Sequence, residues 1–273
     1  MTSTMTTAPA KVGIAMPSAP PMSSRRLLLA YFREAKYESL RMLRMPAFSI
    51  PFLALPVLLY LLFAVVLFGD AARSDVNTAR FLFTAFAVFG VIGPAMFGFG
   101  ITLAIEREQG LLRFKRALPM RTAAYLLAIM LMAMLFAGII MVTLMVCGLT
   151  LGHLSLSARQ TAAVMLIDIF GVLPFCALGL YIGTLVSGRS APGFVHLVYQ
   201  PMLYLSGLFF PLRGFLRLAA PVWPAFYLDQ LALRAVGSSS RGPVVLHVLV
   251  LAGLMIILAA LAIRRLSREE IAK

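Results

Sequence analysis

The stretch that decides the fold is FLFTAFAVFGVIGPAMFGFGITLAI, residues 81–105, which contains no Asp, Glu, Lys or Arg. A helix needs about 20 mostly apolar residues to cross the hydrocarbon core of a bilayer, and this stretch is long enough. The next three residues are Glu, Arg and Glu, so charged residues begin directly after the apolar run, at Glu106. The pattern predicts a membrane-spanning helix that stops at the membrane surface.

The rest of the chain repeats this pattern. Of the 273 residues, 61% are hydrophobic and 12% are charged, and the mean hydropathy is +0.95, whereas a soluble domain averages about 45–50% apolar and about 25% charged residues. This composition excludes an ordinary soluble enzyme, a disordered chain and a disulfide-rich secreted domain. We predict an all-α integral membrane protein with six spanning helices, at residues 47–69, 81–105, 122–152, 160–188, 190–212 and 242–263.

The net charge of +14 would suggest a nucleic-acid partner in a soluble protein, but the placement of the charges argues against one. With both termini inside, the inside segments carry 17 Lys and Arg residues and the outside segments carry 7. Cytoplasmic loops of membrane proteins carry this excess. We therefore expect a multi-pass protein of the cell membrane, with both termini cytoplasmic and no nucleic-acid partner.

The first 45 residues divide into two predicted parts. Residues 1–23 are rich in Thr, Ser, Ala, Pro and Met and are predicted to be a disordered tail. Residues 24–45 place apolar and basic side chains largely on opposite sides of a helix, which is typical of an amphipathic helix lying in the membrane interface. Composition alone does not decide whether this helix only anchors the chain to lipid or also contacts a soluble partner.

The connection between the second and third predicted spans, residues 106–121, has the sequence EREQGLLRFKRALPMR. Gly110 permits a sharp change of direction, and Pro119 suits the start of a new helix. Four large apolar residues among these charges favour a short surface helix that packs on headgroups or in a protein groove: Leu111, Leu112, Phe114 and Leu118. The alternative is a positive loop that only fixes topology.

The string ERE-x-GLLR-x-x-RALPM resembles the coupling-helix motif of ABC-2 type transporter permeases, although Leu111 stands where that family commonly has Thr. A second match follows near the C-terminus, with SGLFFP at 206–211 and WPAFYLDQ at 223–230, and Arg234 close to the last position of the family pattern. Arg213 and Arg217 are additional to that pattern. The resemblance covers residues 24–273, the predicted transmembrane domain.

The resemblance implies a permease subunit of an ATP-driven efflux system. Two permease subunits, identical or different, form the pathway, and two ATP-binding cassette subunits dock beneath them. The chain contains no G-x-x-x-x-G-K-[ST] string, so we expect it not to be an enzyme, to bind no cofactor, and to leave ATP and magnesium to the partner subunit. The residues that the resemblance assigns to coupling are Glu106, Arg107, Glu108, Gly110, Leu112, Arg113, Phe114, Arg116 and Pro119. We expect the first three to bond to the amphipathic helix or to the ATPase.

The resemblance also makes the second and fifth spans the lining of the pathway. Pro201, Gly207 and Pro211 predict that the fifth span is bent or broken, and residues 218–228, too short to cross, predict a re-entrant hairpin on the outer side. The aromatic residues then expected to contact a hydrophobic or amphiphilic small molecule, such as a drug or lipid, are Phe83, Phe86, Phe97, Tyr199, Tyr204, Phe209 and Phe210.

Asp168 is the one acidic residue inside a predicted span. Intramembrane acids usually face the protein interior or water, so Asp168 is a candidate structural hydrogen-bond partner or pathway residue. Two further classes of protein use such a residue, a proton-coupled secondary transporter and a membrane-embedded enzyme. The three histidines, His153, His196 and His247, are scattered and show no metal-binding spacing.

Overall fold

The computed structural model describes residue 44 and residues 46–110, 122–210 and 212–271. The predicted tail, nearly all of the predicted amphipathic helix and residues 111–121 lie outside this part of the chain. The described residues fold as helices joined by short turns. Their α-helices are α1 (Pro46–Leu61), α2 (Gly69–Ser74), α3 (Val76–Gly93), α4 (Gly100–Glu108), α5 (Thr122–Thr150), α6 (Ala158–Gly171), α7 (Leu173–Leu185), α8 (Ala191–Leu205), α9 (Phe215–Ala219), α10 (Pro224–Ala235) and α11 (Val244–Ile271).

Two π-helices and one 3₁₀ turn lie between these α-helices. A π-helix at Leu62–Leu67 extends α1, and a second at Pro94–Phe99 joins α3 to α4 without a break. A 3₁₀ turn at Ala220–Val222 follows α9. Pro94 has no N–H to donate, which removes a hydrogen bond from the α-helical pattern where the second π-helix begins.

Within the described residues, five helical segments are long and apolar enough to cross a membrane: Ser49–Leu67, Val76–Glu108, Leu126–Thr150, Ala158–Leu185 and Val244–Arg268. They coincide with the first, second, third, fourth and sixth predicted spans. The prediction of an all-α membrane protein is confirmed in this form. The fifth predicted span is not confirmed as one continuous crossing, because it holds only the 15-residue helix α8.

The break after α8 has a local cause. Its backbone leaves the helix at Ser206, and Gly207 adopts φ +83°, a conformation that residues with a side chain rarely take. The helix is therefore about 22 Å long, against a hydrocarbon core of about 30 Å. Residues 218–228, predicted as a re-entrant hairpin, form the end of α9, the 3₁₀ turn and the first part of α10, and their re-entry stays a prediction.

Polar caps set the starts of two spans. The carboxylate of Asp75 accepts the backbone N–H groups of Asn77 and Thr78, each at 3.1 Å, and so begins α3. Ser157 and Gln160 form a reciprocal capping box at the start of α6. Both caps lie before the apolar runs, which is why these helices begin earlier than predicted.

Glycines bring two helices of the core into backbone contact. A Cβ atom on Gly100 of α4 would lie 2.5 Å from the carbonyl oxygen of Gly179 in α7, and one on Gly179 would lie 2.8 Å from the Cα of Met96. Small residues permit this closeness between membrane helices. The helix α7 also packs along α11, so it lies between two other helices of the bundle.

We name the two ends of the bundle after Glu108, the last residue of α4, and after Asp75, which caps the start of α3. The Glu108 end contains the last turns of α4 and α7 and the start of α8. The Asp75 end contains the starts of α3 and α6 together with α9 and α10. α10 is not one of the five long apolar segments, yet it packs against α3, α6 and α11 with most of its residues buried.

Candidate functional site

A cavity with a volume of about 980 Å³ lies between α1, α3, the Pro94–Phe99 π-helix and α8. Its lining is mainly apolar and aromatic. Six of the seven aromatic residues predicted to line a pathway border it: Phe86, Phe97, Tyr199, Tyr204, Phe209 and Phe210. The seventh, Phe83, is fully buried against Tyr60 and does not border the cavity.

The aromatic rings connect the elements that form this cavity. Phe97 packs edge-on against Tyr199 with ring centroids 5.1 Å apart, which joins the π-helix to α8. Phe209, beyond the break in α8, packs on Phe86 at 5.5 Å and on Phe89 at 5.6 Å. Tilted and edge-to-face pairs at these distances stabilise packing beyond the area they bury. These rings therefore form one connected aromatic cluster along part of the cavity wall.

Exposure separates the cavity residues into two groups. Phe86 is 2% and Tyr199 7% exposed, whereas Tyr204 is 50% and Phe210 60% exposed. The first pair forms an inner wall, and the second pair forms a rim. The cavity thus offers an apolar surface with an accessible aromatic edge, which suits a hydrophobic ligand.

A polar contact closes the Glu108 end of the bundle. Arg107 donates hydrogen bonds to the backbone carbonyl oxygens of Thr184 and, at 2.8 Å, Val186. The carboxylate of Glu108 accepts the N–H of Gly188 at 2.6 Å. The last carbonyls of a helix lack partners within it, so a guanidinium beside them satisfies those groups. We call the bonds made by Arg107 and Glu108 the α4–α7 anchor.

The anchor adds partners that the sequence did not indicate, because Arg107 and Glu108 bond to the end of α7 and the turn after it. The expected bonds of the charged residues to the amphipathic helix or to an ATPase stay a prediction, since neither partner is among the described residues. Glu106 is buried at 3% exposure. Gly110 adopts φ +71° directly after α4, as expected for a sharp turn. Five other predicted coupling residues lie outside the described residues: Leu112, Arg113, Phe114, Arg116 and Pro119.

Asp168 is fully buried in α6, and neither of its carboxylate oxygens has a hydrogen-bond partner among the described residues. The expected structural hydrogen bond is therefore not among the contacts of the described residues. Asp168 and Asp229 lie on two helices, α6 and α10, that pack against each other. The side chain of Leu228 occupies the space beside Gly171, which brings α6 and α10 together at this point.

Asp229 is a buried acid that sequence analysis did not single out, although it lies in the second matched motif. Its Oδ2 atom accepts a hydrogen bond from Nε2 of Gln230 at 3.1 Å. Burial raises the pKa of Asp229 to about 8, although the hydrogen bond from Gln230 acts to lower it. No local signal marked it, because its burial follows from the packing of α10 among α3, α6 and α11.

The histidines do not form a common site. Arg73 donates a hydrogen bond to His153 at 3.4 Å, His196 packs on Phe97, and His247 lies beside Phe226 and Tyr227. Among the described residues, no three His, Cys, Asp or Glu side chains come together as a metal site would require.

Comparison with known proteins decides the class of protein that contains this cavity and anchor. Residues 31–228 match the ABC-2 type transporter family. The chain belongs to this family. The permease is also 28% identical over 174 residues to YvfS of Bacillus subtilis (strain 168), a protein whose name describes a transport permease; the match covers 64% of the permease and 71% of YvfS.

The family match confirms the resemblance inferred from the two sequence motifs. It includes the aromatic cavity and the α4–α7 anchor and ends at Leu228, inside α10. The chain is therefore a multi-pass membrane protein and a permease of the ABC transporter class, a transport subunit rather than an enzyme. Its family context includes ATP-binding partners.

Proposed function

We propose that this permease is the membrane subunit of an ATP-driven exporter for a hydrophobic or amphiphilic small molecule. The observation that carries the proposal is the aromatic cavity of about 980 Å³ between α1, α3 and α8. Its rim residues Tyr204 and Phe210 are exposed, so a ligand reaches them without unfolding a helix. Two permease subunits form the complete pathway, and two ATP-binding cassette subunits supply the energy.

The chain crosses the cell membrane six times, with both termini and the Glu108 end in the cytoplasm. The distribution of Lys and Arg supports this orientation, with 17 in inside segments and 7 in outside segments. α8 begins near the Glu108 end, at the turn that contains Gly188. Beyond its break, Phe209 reaches Phe86 of α3. α8 and the bent segment after it therefore make the fifth crossing together.

The connection at residues 106–120 transmits the motion of the ATP-binding subunits. It presents Phe114 and its neighbouring leucines to a groove of the ATPase, while Arg107 and Glu108 hold its first residues to α7. A force on this connection therefore reaches both the second and the fourth spans. ATP and magnesium bind to the partner subunit, and the permease alone hydrolyses no ATP.

The deciding experiment is co-purification of the permease with an ATP-binding cassette subunit encoded beside it, followed by transport in proteoliposomes. Phe114→Ala should still insert but should retain less ATPase and transport poorly, because interface aromatics often contribute more than about 1 kcal/mol to binding. The comparison variant removes Arg113, Lys115, Arg116 and Arg121 together.

Two results would contradict the proposal. If Phe114→Ala matches the wild type in both assays while only the fourfold charge variant fails, the connection fixes topology and does not couple. If the purified permease hydrolyses ATP in the absence of any ATPase subunit, the claim that only the partner subunit hydrolyses ATP is wrong.

A further inference from the structure

A second cavity, of about 470 Å³, lies at the Asp75 end, away from the α4–α7 anchor. It is bounded by the start of α3, the turn after α8, the helices α9 and α10, and the loop before α11. Both polar and apolar residues line it. The polar residues that bear on its ligand are Arg217, Asp229, Gln230, Ser238 and Arg241.

Two arginines on separate segments face this cavity. Arg217 belongs to α9, and Arg241 belongs to the loop before α11, where its backbone N–H is held by Oε1 of Gln230 at 2.6 Å. Within the described residues, neither guanidinium forms an ion pair with a carboxylate. Both residues are exposed and border the same cavity, and partial burial followed by the charge of Arg217 lowers the pKa of Arg241. Two positive charges that border one cavity make it attractive to an anion.

The other polar groups of the cavity suit an anion as well. The hydroxyl of Ser238 is buried and has no hydrogen-bond partner, so it is available as a donor. Asp229 is the acidic residue in the described lining, and a carboxylate there would oppose an anion. Because its pKa is raised to about 8, Asp229 is mostly protonated at neutral pH and carries little charge.

We propose that this cavity binds a phosphate or carboxylate group between Arg217 and Arg241. A planar guanidinium presents paired N–H donors that match the oxygens of such groups. The apolar wall, which includes Phe81 and Phe226, is suited to the hydrocarbon attached to the anionic group. The group is supplied either by a phospholipid headgroup or by a small soluble anion. The proposal does not depend on the transport function proposed above.

The test uses the full chain purified in detergent. Native mass spectrometry measures retention of phosphatidylglycerol against phosphatidylcholine, and a thermal-shift assay compares inorganic phosphate with chloride at equal ionic strength. The test variant carries Arg217→Gln and Arg241→Gln. The matched control carries Arg213→Gln and Arg234→Gln, which removes two exposed charges outside the cavity lining. A third variant, with Arg217→Lys and Arg241→Lys, keeps the charge and checks that the fold is intact.

We expect binding of the anionic probe to weaken about tenfold in the glutamine test variant, to stay near wild type in the control, and to be partly kept by lysine. Retention of phosphatidylglycerol identifies a lipid headgroup as the source, and stabilisation by phosphate alone identifies a soluble anion. The proposal is overturned if neither probe binds the wild type, or if the test and control variants lose binding equally.

Discussion

The carboxylate of Glu108, the last residue of α4, accepts the backbone N–H of Gly188 across 2.6 Å. This bond, with those of Arg107, joins the second span to the end of the fourth. The bond is charge-assisted, because one of its partners is an ionised carboxylate. It therefore holds the entrance of the 106–120 connection in a fixed position relative to α7.

Replacing Glu108 by alanine should free the turn after α7. We expect amide hydrogen exchange of the segment around Gly188 to accelerate roughly fivefold, because a net hydrogen-bond contribution is lost. Glu108→Gln keeps an acceptor and should give a smaller effect. Asp70→Asn, an exposed change at the opposite end, is the control and should leave this segment unchanged. Equal exchange in Glu108→Ala and the wild type would show that the anchor does not hold the turn.

The glycine contact between α4 and α7 predicts a strong effect of one added methyl group. In Gly100→Ala the new Cβ would meet the carbonyl of Gly179 at 2.5 Å, and backbone atoms cannot move aside cheaply. Overpacking of this kind costs about 1–3 kcal/mol, so the melting temperature in detergent should fall clearly. Gly253→Ala is the matched control, since no atom lies within 4 Å of its Cβ position. A similar melting temperature for both variants would contradict the close contact.

The aromatic cavity predicts which phenylalanine affects transport. Phe209→Ala removes ring contacts with Phe86, Phe89 and Tyr204 and enlarges the cavity at its rim. We expect several-fold weaker stimulation of the partner ATPase by a hydrophobic compound. Phe170→Ala removes an aromatic ring that is 55% exposed and outside the cavity lining, and it should have little effect. If both variants respond to the compound alike, the cavity is not a ligand site.

Asp229 makes stability depend on pH. Its pKa is raised from 3.8 to about 8 by burial, so the folded protein holds the proton more tightly than the unfolded chain does. Its contribution to stability is greatest below the ordinary pKa and is lost as pH rises through the folded-state pKa. Asp229→Asn should therefore flatten the fall in melting temperature between about pH 4 and about pH 8.

Asp75→Asn is an informative comparison for that measurement. Hydrogen bonds from Thr78 and Asn77 lower the pKa of Asp75, so its contribution to stability is present above the ordinary pKa and is lost as pH falls. The two substitutions should thus act in opposite pH ranges. An unchanged profile in Asp229→Asn would mean that Asp229 is not buried as a neutral acid.

The orientation of the bundle is testable by labelling intact cells, in a background where Cys147 and Cys176 are replaced by alanine. Gln109→Cys at the Glu108 end should resist a membrane-impermeant thiol reagent, and Ser239→Cys at the Asp75 end should react. Both side chains are exposed, so accessibility within the fold does not separate them. The reverse pattern would show that the proposed topology is inverted.

Much of the helix pattern follows from local sequence, because apolar runs and their lengths are local properties. The second span was predicted at 81–105 and is observed at Val76–Glu108. The observed helix is longer because the Asp75 cap starts it early and charged residues continue it at the other end. Of the three residues that predicted a bend or break in the fifth span, Gly207 lies just after the end of α8, Pro201 lies inside the helix, and Pro211 is outside the described residues. The family resemblance, and not a local signal, selected the second and fifth spans, and six of the seven aromatic residues taken from them border one cavity.

The contacts between distant segments could not be derived in this way. The partner of Glu108 is a backbone amide, and any residue other than proline offers one, so the sequence around Gly188 carries no mark of it. Asp229 is buried because α10 packs among α3, α6 and α11, an arrangement that depends on the whole bundle. The rotation of each helix likewise decides which of its glycines contact a neighbouring helix. Nothing in the local sequence separates Gly100, which makes such a contact, from Gly253, which does not.

The backbone contact of α4 with α7 has a mechanical consequence. At Gly100 and Gly179 no flexible side chain separates the two helices, so there is no compliant layer to absorb a displacement. Tightly packed interiors transmit strain, so we expect the two helices to move as one block. We expect bending to be easiest just beyond this block, at Gly93 and Pro94, where the second span has a glycine and lacks an N–H donor. In the mechanism proposed above, a displacement at the Glu108 end would then change the angle at this hinge, beside the inner wall of the aromatic cavity.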